Sequence, residues 1–127
     1  MASSYAGQHD IAVERAERAR GMSSEHPLGF MFEGALAVPL LLRGDYERAV
    51  TAGERSIALN PDFSSSFKTQ LAALGHLGRK ADADRIRALL LRLEPGFSIS
   101  QAMERSPLRI AADRERYEEG LRLGGLR

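Results

Sequence analysis

Gly44-Asp45-Tyr46-Glu47-Arg48-Ala49, running on to Leu59-Asn60-Pro61-Asp62-Phe63, has a counterpart later in the chain. It is Gly78-Arg79-Lys80-Ala81-Asp82-Ala83, running on to Leu93-Glu94-Pro95-Gly96-Phe97. Gly, Ala, Leu, Pro and Phe recur together at a constant offset of 34 residues (44 to 78, 49 to 83, 59 to 93, 61 to 95, 63 to 97). A fixed period of this size means one supersecondary unit used more than once. Gly44 and Gly78 stand where a helix ends in a left-handed residue, a conformation Gly adopts without steric cost. Ala49 and Ala83 are small enough for two helices to cross closely. Pro61 and Pro95 cannot continue a helix, so each stops one and begins a connection.

This period, with Gly at the turn, Ala in the following helix and Pro at its end, resembles the tetratricopeptide repeat. The resemblance implies an all-α fold, an α-α superhelix of helix pairs with a C-terminal capping helix. On the sequence this divides a single domain, residues 1–127, into a partial repeat at 8–29, repeats at 30–63 and 64–97, and a cap at 98–127.

With 127 residues the chain suffices for one continuous core. Its 43% apolar and 28% charged residues are ordinary for a soluble globular domain. A net charge of +1 provides no global attraction to nucleic acid or anionic membrane. The absence of Cys excludes disulfides, thiolate metal sites and a cysteine nucleophile. His9, His26 and His76 fall on separate elements with no second ligand at metal-site spacing. Ser64-Ser65-Ser66 reads as a helix start, and Gly120 with Gly124-Gly125 lacks the preceding strand of a phosphate loop. Arg79, Lys80, Arg85, Arg87 and Arg92 interleave with Asp82, Asp84 and Glu94, the pattern of a solvated face. The expectation is therefore a non-enzymatic chain with no catalytic, cofactor or metal residues. Met1 to Asp10 has neither the basic start nor the apolar run of a signal peptide. The longest apolar stretch, Ala35 to Leu42, is too short to span a bilayer. A cytoplasmic location is expected.

Before the first full repeat, Met1 to Gly7 is expected to fray. His9 to Arg20 reads as a helix with Ile11, Ala12, Ala16 and Ala19 on one face and a Glu14–Arg18 pair on the other. It looks like the second helix of a repeat whose first is missing, with Ser24 where a stopping Pro would stand. Leu28 to Arg43 contains Pro39, which gives either a kinked continuous helix or a break at Val38. Asp62 or Ser64 is placed to cap the helix after Pro61. Ser100 to Arg105 forms a short helix. Asp113 to Leu123 forms a final one with Tyr117 and Leu121 inward and many charges outward, as in a solvating cap on an open array.

The tail carries a second resemblance. Leu93-Glu94-Pro95-Gly96-Phe97-Ser98-Ile99-Ser100, Glu104-Arg105-Ser106-Pro107-Leu108-Arg109 and Arg116-Tyr117-Glu118-Glu119-Gly120-Leu121-Arg122 with Gly125-Leu126 resemble a bacterial ending. It is similar to the C-terminal repeat region of class III adenylate/guanylate cyclase-like proteins and related winged-helix regulators. That implies a scaffold in a signalling neighbourhood, and no catalytic or DNA-binding residue maps onto this chain.

Function then falls to the concave groove that the first helices of successive repeats line. By repeat position the partner-binding residues are Met31, Val38, Leu41, Leu42, Lys68, Ala72 and His76, with Gly34, Ser65 and Gly75 between them. Its N-terminal half is apolar, which suits a hydrophobic helix or peptide of a protein partner. A second copy of the chain, paired through that face as a homodimer, is the alternative. A C-terminal fragment of a cyclase-like enzyme and a weak nucleic-acid-binding regulator are the remaining readings.

Overall fold

A computed structural model describes residues 2–22 and 29–127, with side chains from Gln8 to Ala19 and from Gly29 onward. Ser24, expected where a helix stops, lies outside the described residues. Among those residues the chain is all-helical, with no strand: α1 (Ala2–Met22), α2 (Gly29–Arg43), α3 (Tyr46–Leu59), α4 (Ser64–Leu77), α5 (Lys80–Leu93), α6 (Ile99–Arg105) and α7 (Ala111–Leu123). No helix among them is long and apolar enough to cross a membrane.

The sequence period reappears bond for bond. Gly44 N–H donates to Leu41 O at 3.0 Å and Asp45 N–H to Leu40 O at 2.8 Å. Gly78 N–H donates to Gly75 O at 3.1 Å and Arg79 N–H to Leu74 O at 3.2 Å, the same pair of bonds one period later. Gly44 and Gly78 have φ of +90° and +70°. These bonds satisfy helix-end carbonyls that would otherwise lack partners. Before Pro61 and Pro95 the match continues, with Asn60 N–H on Ser56 O and Glu94 N–H on Leu90 O, both at 2.9 Å. Ala49 and Ala83 are buried where the helices cross.

Packing follows the chain as far as α5. α1 lies on α2, α2 on α3 and also α4, α3 on α4, and α4 on α5. Leu36, Leu40, Leu71, Leu74, Ile86 and Leu90 fill the space between them. Pro39 sits within α2, which runs unbroken through it. Ala35, whose carbonyl loses its amide partner, is exposed, so solvent can meet that oxygen. α1 begins at Ala2. The Glu14–Arg18 pair forms at 2.6 Å on its exposed face. Neither Asp62 nor Ser64 caps α4, whose N-cap is Phe63. Asn60 Oδ1 instead accepts the Asp62 amide.

The chain departs from simple stacking after Pro95. α7 was expected to cover the open end of the array, but it packs against α4 and touches α2 and α6, while among the described helices α5 packs on α4 alone. Small residues explain this. A methyl group at Gly75 would fall on the Gly120 carbonyl oxygen, and one at Gly120 would come 2.5 Å from Ala72 O. A methyl at Gly124 would lie 2.8 Å from Leu71 Cδ1. Backbone therefore approaches backbone, and Leu121 beside this crossing is fully buried. Among the charged residues of α7, Asp113 is buried and meets His9 Nε2 at 2.9 Å, tying the start of α7 to α1.

Two glycines of α4 and its turn should separate steric from conformational effects. Gly78→Ala, with open space around its Cβ position, should cost about 1–2 kcal/mol for the left-handed backbone alone. Gly75→Ala must drive α7 off α4 and should cost at least about 3 kcal/mol. Urea denaturation of both variants measures the difference.

Candidate partner-binding groove

The groove expected along α2 and α4 is divided by α7. Ala72 is fully buried beneath Gly120. His76 stacks on Tyr46 with ring centroids 4.6 Å apart and planes 6° from parallel. Its Nε2–H donates to Arg116 O at 2.6 Å, so the imidazole is part of the α4–α7 joint. Leu41 and Leu42 are largely buried and line a small cavity together with Lys68. Of the seven residues assigned to the groove, Ala72 and His76 are thus taken up by the contact with α7. Met31 and Val38 stay exposed, at 47% and 38%.

Lys68 is held rather than free. Its Nζ lies 2.7 Å from Glu94 Oε2 and 4.3 Å from the centre of the Phe97 ring. Arg105 reaches the other oxygen, Glu94 Oε1, at 3.0 Å. One carboxylate therefore bridges a cation from α4 and a cation from α6. The hydrogen bond from Lys68, then one from the Ser64 hydroxyl, holds the Glu94 carboxyl below its ordinary range despite partial burial. Nearby, burial pushes the Tyr117 phenol up to about 12, with the Glu94 charge adding to the effect.

Two adjoining depressions remain open. The first is a shallow groove of about 220 Å³ between α2 and α4, lined by Met31, Ala35, Val38, Phe63 and Thr69 among others. The second is a cavity of about 210 Å³ roofed by α6 and the segment after it, with walls including Val38, Phe97, Ala102, Leu108 and Tyr117. Val38, Ser65 and Thr69 line both, so the two adjoin. Elsewhere, a wider cleft of about 700 Å³ separates α5 from the C-terminal turn. Arg87 spans it, donating to Gly124 O at 2.7 Å while pairing with Asp84 at 2.9 Å.

Arg105, Phe97 and Leu108 entered the sequence reading only as repeat punctuation or tail motif, and Glu94 also as part of a solvated charged face, because nothing local places them beside α2 and α4. The usable signal was Gly120-x-x-x-Gly124, a spacing that puts two glycines on one helical face and permits a close crossing. Comparison with protein-family models, curated proteins and solved structures gave no match.

Acid should reveal the Glu94 bridge. With its folded pKa depressed, the group contributes stability fully above the ordinary 4.5 and loses it as pH falls through the lower folded value. Glu94→Gln should therefore melt below the wild type at neutral pH. The gap should close well below pH 4.5, as thermal melts across that range would show.

Proposed function

We propose that this chain is a non-catalytic binding module of tetratricopeptide type that receives a short segment of a partner protein between α2 and α4. The reading is supported above all by Met31 and Val38. These two large apolar side chains are left exposed seven positions apart, on one face of α2, beside an open groove. α7 closes that face at Ala72, Gly75 and His76, which leaves Met31, Val38 and the adjoining cavity open. The tail resemblance supports a bacterial signalling context for such a module, and a cytoplasmic location is part of the same proposal. A second copy of the chain is the competing occupant of the same face, and light scattering of the purified chain separates the two.

Randomised peptides displayed against the full chain test the proposal. Enriched sequences should bind the purified protein in solution, and Val38→Arg or Met31→Glu should weaken them on the order of tenfold or more. Leu59→Glu, at an exposed apolar site on α3 outside the groove, should leave binding unchanged. Failure to enrich any peptide, or peptides indifferent to Val38→Arg, would refute the groove as the binding site. Turnover of nucleoside triphosphate by the purified chain would refute the non-catalytic reading.

A further inference from the structure

We infer that the cavity under α6 is an anchor pocket: it takes one bulky apolar side chain of the bound segment, while a carboxylate next to that side chain meets Lys68 and Arg105. This rests on the binding reading above and specifies the chemistry of the partner. Size comes first. At about 210 Å³ the cavity is smaller than the roughly 300–1,000 Å³ typical of sites for whole small molecules. It suits a single side chain. Its walls are mainly apolar, with Phe97, Ala102 and Leu108 among them, so desolvating an aromatic or long aliphatic group there is favourable.

Charge comes second. Lys68 and Arg105 are the charged residues among those lining the cavity, and both are cations. Glu94 stands behind them and neutralises one positive charge of the two. An incoming carboxylate therefore meets a net positive rim, and Arg105, paired with Glu94 but with its side chain 60% exposed, is close enough to the surface to share its guanidinium with it. A basic residue at that point would meet two cations. Adjacency comes third. Val38, Ser65 and Thr69 line both the cavity and the groove, so a segment lying along Met31 and Val38 runs directly to its mouth. Binding energy at interfaces concentrates in a few side chains buried in such pockets.

The peptides enriched against the full chain provide the test. They should share an aromatic or long aliphatic residue with Asp or Glu within a few positions. In the tightest of them, changing that anchor to Ala should weaken binding to the wild-type protein on the order of tenfold or more. Changing its acid to Lys should also weaken binding, and Arg105→Glu should restore the Lys peptide relative to the acidic one. Because the peptide, not the protein, carries the anchor and acid changes, misfolding cannot imitate those results. Peptides that depend on Val38 yet tolerate loss of the anchor, or show no charge swap with Arg105→Glu, would overturn the pocket and leave the groove standing. If no peptide is enriched, groove and pocket fall together.

Discussion

Where α4 crosses α7, backbone meets backbone, and the placement of everything after Pro95 depends on that contact. Gly75, Gly120 and Gly124 remove the side chains that would hold the two helices apart. Close approach multiplies weak dispersion contacts, each small and collectively large. It also brings polar groups into range that would otherwise miss one another. His76 reaches the Arg116 carbonyl, and Asp113 reaches His9. At the far end, the Ile99 amide donates to Arg127 O at 2.7 Å, closing the C-terminal segment on itself.

The same contact shapes the groove. α4 presents small residues, Ala72 and Gly75, where α7 lies, and polar or longer ones, Ser65, Lys68 and Thr69, where it does not. A helix can settle only on the first half. The second half is bridged by the short α6, whose start is fixed by the Ser98 hydroxyl accepting the Gln101 amide at 3.2 Å. Glu94 then gathers Lys68, Arg105 and Ser64 around one carboxylate. At the other edge, α1 is joined to the repeats by Asp10–Arg43 and Glu17–Arg48 pairs at 3.1 and 2.7 Å. Such exposed pairs contribute little singly. Burial of Val13 and of Leu36 and Leu40 on α2 contributes more to holding the N-terminal helices in the core.

Local features were legible in the sequence, and distant ones were not. Gly44 and Gly78 announced left-handed helix ends, and Pro61 and Pro95 announced the stops, because each is a constraint on its own backbone. Tyr117 and Leu121 were correctly placed inward by helical spacing. Ala72 and His76 were read as groove residues because the period alone sets them on the concave side. What covers them is a helix far along the chain. Helical spacing says which residues share a face and says nothing of what covers it. Nothing local marked Asp113 for burial, since its partner, His9, is more than a hundred positions away. Only the glycine spacing in α7 carried a hint of the crossing, since one feature of that kind fits several explanations until the opposing surface is known.

Because α7 follows α4 in the chain, a ribosome making this protein exposes α4 well before its cover exists. The pairs α2–α3 and α4–α5 can zip up from neighbouring segments as they emerge. The face of α4 holding Leu71 and Ala72 must wait for residues from Ala111 onward. During that interval a nascent chain carries an uncovered apolar strip, the kind of surface that draws chaperones or sticks to neighbouring chains. The delay is inherent in a topology whose last helix returns to an earlier one.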